Sequence, residues 1–198
     1  MKKMNIHILK ELIKSTYDNF EFECDYYEKT AVIALLVNEL CGFKILSLSL
    51  LENNIYFNDD NGTKYKYDSI GTLNYDNNQE VDRNELLQNP VIKYNYVLYK
   101  IEILKEYKRK IIIEQNAVND YINLKNIYPF FNKLKQKSYG DVEFYQCAKN
   151  VLKDVEVLSR KMEKNYLNVQ LYLEIDNELE KTQNEYHEFK KSLLLKKI

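Results

Sequence analysis

The sequence predicts an α+β protein: a compact N-terminal part with one or two helices and a small antiparallel β-meander, followed by a long antiparallel helical hairpin. Three observations lead there. Apolar residues recur at helical spacing near the N-terminus and again beyond Pro90. Between Phe43 and Tyr75 they alternate instead, the period of a half-buried strand. Asn61-Gly62 stands between two such alternating aromatic segments, the strongest short-range hairpin signal in the chain. The predicted division is 1–88 for the α+β part and 89–198 for the long helices, or one continuous domain over both.

Taken in order, Ile6, Leu9, Leu12 and Ile13 make one face of a short amphipathic helix. The segment YYEKTAVIALLVNELCG reads as a buried helix closed by Gly42, with a strand as the competing reading because Val and Ile are frequent. FKILSLSLL, NNIYFN and TKYKYDS read as strands, with IGTLNYD as a further one and NYDNNQEVDRNELLQN as a polar connection carrying one helical turn. Asn89 then offers a cap, and Pro90 a favoured first helical residue. Val97, Ile101, Leu104, Ile111, Val118 and Ile122 form one apolar row, and Ile103, Tyr107, Ala117, Tyr121, Leu124 and Tyr128 the next. Together they predict a single helix from Pro90 that stops near Pro129. KQKSYGD is a turn, with Ser138 in the capping position and Asp141 three residues on. The rest is helical to Leu195, with a change of heptad phase that implies either a local change in supercoil or a bend near Leu171 to Asp176.

Composition narrows the function classes. Lys plus Arg is 29 and Asp plus Glu is 30. A domain-wide basic surface for nucleic acid and an acidic mimic of a phosphate backbone are both excluded by that balance. Cys24, Cys41 and Cys147 are odd in number, far apart and without a CxxC, the usage of free thiols in a reducing, cytoplasmic setting. The longest apolar run, Ala31 to Val37, falls far short of the roughly 20 residues a membrane span needs. Heavy use of Lys, Asn, Ile and Tyr matches AT-rich codons and points to a bacterial or phage genome.

No constellation carries a catalytic signature. His7 and His187 lie near opposite termini and no cysteine pair has ligand spacing, so no zinc site is expected. NDDNG fails as a calcium loop, because Gly62 at the sixth position puts Phe57 at the first. GxSxG, GxGxxG and GxxxxGK[ST] are all missing, and four glycines leave nothing for a phosphate cradle. No cofactor is expected. The carboxylates Glu102, Glu106, Glu114, Asp154 and Glu156 alternate with lysines, as on solvated helix faces.

Two binding surfaces remain. Lys105, Lys108, Arg109 and Lys110, near Tyr99, Tyr107 and Tyr121, combine cations with aromatic faces in the manner of a single-strand nucleic-acid patch. Tyr56, Tyr65 and Tyr67 offer a tyrosine-rich hairpin of the kind enriched at protein interfaces. The expected function is therefore a non-enzymatic protein-binding factor, in the manner of a phage or mobile-element accessory protein that inhibits or regulates a host protein complex. The alternatives are a nucleic-acid-associated regulator using the basic patch and a structural homo-oligomer built on the terminal helices.

Overall fold

The computed structural model describes residues 3–17, 26–49, 54–58, 64–66, 81–138 and 140–195. The predicted turn at Asn61-Gly62, the strand IGTLNYD, Tyr67 and Cys24 lie outside the described residues. The α+β expectation is corrected. Seven α-helices hold most of the described residues, so the class is mostly α. They are α1 Ile6–Tyr17, α2 Tyr26–Leu36, α3 Arg83–Leu86, α4 Pro90–Glu114, α5 Asn116–Lys137, α6 Val142–Asn165 and α7 Leu167–Leu195. The strands β1 Lys44–Ser49, β2 Asn54–Asn58 and β3 Lys64–Lys66 are short and antiparallel, in the order β1-β2-β3. Pairing runs Ile45 with Phe57 and then Ser47 with Tyr56, so Leu46 is the extra residue of a bulge. Three strands of this length amount to an appendage of a helical chain, not a layer of their own.

Two compact units form: Met1–Glu106 with Glu178–Ile198, and Tyr107–Asn177. The first is built around α4. Ile92, Tyr96, Val97, Tyr99, Ile101, Ile103 and Leu104 are all buried, which leaves that part of the helix almost no solvated face. Asn89 caps it, its Oδ1 accepting from the Val91 amide at 2.8 Å. Leu9, Leu12 and Ile13 of α1 are buried too. Tyr99 donates its hydroxyl to the Ile13 carbonyl at 3.0 Å, which satisfies the one polar atom on a fully buried ring. α2 carries apolar residues all round and continues as a π-helical turn, Val37–Cys41, that ends where Gly42 takes φ 76°.

The second unit corrects the long hairpin. The predicted Pro90–Pro129 helix is two helices, because Gln115 leaves helical geometry at φ −123°, ψ 98°. The helix after the turn is likewise broken at Tyr166, φ −109°, ψ 109°, and not near Leu171 to Asp176, where α7 runs on. Three β-branched residues, Ile111 to Ile113, weaken the turn before Gln115. Side-chain amides bond at each break, at one of them to a freed backbone carbonyl. Asn168 Nδ2 donates to Gln115 Oε1 at 2.6 Å, and Gln170 Nε2 donates to the Lys164 carbonyl at 2.9 Å. The expected stop at Pro129 is also corrected, since α5 continues through it to Lys137. Proline lacks an amide hydrogen, so Lys125 loses its helical donor there, and packing against α6 holds the helix together. Asp141, not Ser138, caps α6, its Oδ1 accepting from the Phe144 amide at 3.0 Å. Ser138 closes α5 instead.

Candidate functional site

α5 and α6 pack antiparallel in the second unit and are tied at two levels. The Tyr121 hydroxyl donates to Glu163 at 2.7 Å, and the Tyr128 hydroxyl donates to Glu156 at 3.2 Å. Seven residues separate the tyrosines and seven separate the glutamates, running in opposite senses, so the two ties repeat one heptad apart. Each carboxylate also meets a cation: Lys125 lies 3.0 Å from Glu163 and Arg160 lies 3.8 Å from Glu156. The Tyr121 hydroxyl and Lys125 together hold the Glu163 carboxyl below its ordinary value against the effect of partial burial. Glu163 is therefore an ion at neutral pH and not a general acid.

Between the two levels lies a cleft of about 360 Å³. Lys125, Tyr128 and Pro129 line it from α5, and Val155, Glu156, Ser159, Arg160 and Glu163 from α6. Its floor carries Ser159, 1% exposed, whose hydroxyl has no hydrogen-bond partner within the chain. The cleft's two cations and two carboxylates balance, which gives it no net attraction for a strongly charged ligand.

The sharper feature of this unit is its apolar surface. Among the residues whose burial is described, ten large hydrophobic side chains stand exposed on the second unit. Phe130 is 60% exposed on α5, beside Ile127. Leu167 is 74% exposed just past the break at Tyr166, and Ile113 stands exposed just before the break at Gln115. A single exposed apolar side chain needs no explanation, but a set of them on one pair of packed helices does.

The sequence-selected residues fare differently. Lys105, on the first unit, pairs with Glu102 at 2.7 Å. Lys108, on the second, pairs with Asp176 at 2.5 Å and sits 5.2 Å from the centre of the Tyr172 ring. Arg109 and Lys110 follow it on α4. The aromatics expected to stack beside them, Tyr99, Tyr107 and Tyr121, are buried and leave no ring face for a base. In the backbone register of β2 and β3, Tyr56 stands opposite Lys66 and Tyr65 opposite Phe57. In the first unit, the structure adds an ionic cluster that the sequence reading missed. Lys100, 3% exposed, lies 2.6 Å from Glu178 and 3.3 Å from Glu39, while Glu39 also pairs with Arg83. A lysine inside an apolar helical row was its only sequence signal. Among the described residues no three His, Cys, Asp or Glu side chains converge as metal ligands, and no helix is long and apolar enough to cross a membrane. No protein-family model matches the chain, and no curated protein or solved structure matches it either.

Proposed function

We propose that the protein is a non-enzymatic binding factor that engages a partner protein through the helices of its second unit. The observation that carries this reading is the set of large apolar side chains that stand exposed on that unit. Aromatic and aliphatic anchors such as Phe130 are what protein interfaces concentrate at their centre, with charged residues moved to the rim. Lys125 and Arg160 line the α5–α6 cleft of the same unit and supply charged residues for such a rim. AT-rich composition adds the finer part of the proposal, a phage or mobile-element factor acting on a bacterial host complex in the cytoplasm.

The test is an affinity capture from bacterial lysate, with and without nuclease, using the wild type and Phe130→Asp. A protein complex retained after nuclease and weakened at least tenfold, about 1.4 kcal/mol, by Phe130→Asp is the expected result. Capture that disappears with nuclease and survives Phe130→Asp would transfer the function to nucleic acid and the Lys105 to Lys110 cations.

A further inference from the structure

α6 has two apolar faces. One, with Ala148, Leu152, Val155 and Ser159, is buried. The other carries Phe144, Cys147, Val151 and Leu158, which share a stripe because three and four residues bring a helix round to the same side. Phe144 is 49% exposed, Leu158 is 47% exposed and Cys147 is exposed. Asp154 and Lys161 take the remaining positions of the same heptad row. The row therefore has the pattern of a coiled-coil seam, and most of it faces solvent.

Beside the stripe, α6 carries one charge near each end. Glu143 stands on that side near its start and Lys161 near its end. A parallel copy of the helix would set Asp154 against Asp154 and Lys161 against Lys161. An antiparallel copy brings Glu143 of one chain near Lys161 of the other, and it also opposes the two helix dipoles. About a two-fold axis at Val151 it brings Phe144 across from Leu158 and leaves Val151 facing its own counterpart, as a closed isologous contact requires.

We propose that this face of α6 docks a second copy of the same chain, helix against helix and antiparallel about Val151. One helix pair buries less than a standard interface, so the dimer is weak and concentration-dependent. The contact uses a face of α6 other than the α5 side that carries Phe130, and its test needs no partner. Failure here and failure of the partner reading are thus separate results.

The experiment is sedimentation equilibrium of the full chain across a wide concentration range, with folding checked by far-ultraviolet circular dichroism. The wild type should fit a monomer–dimer equilibrium, and Leu158→Glu should weaken it at least tenfold. Lys161→Glu should weaken it as well, and adding Glu143→Lys should restore it, since the pair is then reversed and not removed. Orientation is read by oxidation with Cys24 replaced by serine. Val151→Cys combined with Cys147→Ser should cross-link as a dimer, whereas Cys147 alone should not. A monomer at every concentration, a dimer indifferent to Leu158→Glu, or efficient cross-linking through Cys147 would each overturn the proposal.

Discussion

Replacing Lys100 with methionine keeps most of the side-chain volume and removes the charge from the core of the first unit. Lys100 is 3% exposed and lies between Glu178 at 2.6 Å and Glu39 at 3.3 Å. Removing one partner from a fully buried pair costs about 3–5 kcal/mol, because the other charge is left without compensation. Two features lower that figure here. Glu39 retains Arg83, and the carboxylates of Glu39 and Glu178 are 23% and 19% exposed, so water reaches both. The expected loss is about 2–3 kcal/mol in urea denaturation followed by circular dichroism, or a fall in Tm of roughly 4–12 °C for a chain of this size. Glu178→Gln alone should cost less, and Lys100→Met with Glu178→Gln should cost clearly less than the two singles added together.

The pH dependence gives a second reading of the same cluster. Burial pushes the Glu178 carboxyl up, but the Lys100 hydrogen bond and charge outweigh it and hold the folded value below the ordinary one. Its contribution is thus complete above the unfolded carboxylate value, about 4.3, and is lost as pH falls through the folded value. Burial pushes Lys100 down, and Tyr96, Glu178 and Glu39 together raise it above its ordinary value. Its contribution is lost only as pH rises through that raised value. The gap between wild type and Lys100→Met should therefore be flat between about pH 5 and 9 and shrink below about pH 4. A neutral or stabilising Lys100→Met, with strictly additive double-mutant energies, would refute this account of the cluster.

Two further outcomes follow from the same coordinates. Burial pushes the Cys41 thiol up to about 12, whereas Cys147 is exposed, so a Cys24→Ser protein should show one rapidly alkylated thiol at pH 8 and a second only on unfolding. Mass mapping of the modified peptide checks this, and fast labelling at Cys41 would contradict the buried assignment. Pro129→Ala should restore the α5 hydrogen bond to the Lys125 carbonyl and stabilise the second unit by about 1–3 kcal/mol in thermal melts. A destabilised variant would mean that the proline shape itself supports the α5–α6 cleft.

Local signals were legible where a residue's own chemistry decides the backbone. Asn89 before Pro90 marks the start of α4, Gly42 at φ 76° ends the α2 segment, and Leu9, Leu12 and Ile13 are the buried face of α1. The apolar rows of α4 and α5 also contain the buried residues Val97, Leu104, Ile111, Val118 and Tyr121. Hydrophobic period does not, however, report a one-residue interruption. Gln115 and Tyr166 fit a helix as well as their neighbours do, and the side-chain bonds beside the breaks, Asn168 to the Gln115 side chain and Gln170 to the Lys164 carbonyl, leave no periodic signal.

The sequence by itself determined that this chain is rich in helix, near neutral in charge and free of known catalytic motifs, because composition and period are properties of residues taken one or a few at a time. Tertiary structure decided the rest. It buried Tyr99, Tyr107 and Tyr121, which next to Lys108 in sequence look like a stacking surface, and it enclosed Lys100 between Glu39 and Glu178. It also left Phe130, Leu158 and Leu167 exposed, although nothing in their local pattern separates them from core residues. Burial depends on which helix packs against which face, and that depends on residues far apart in the chain.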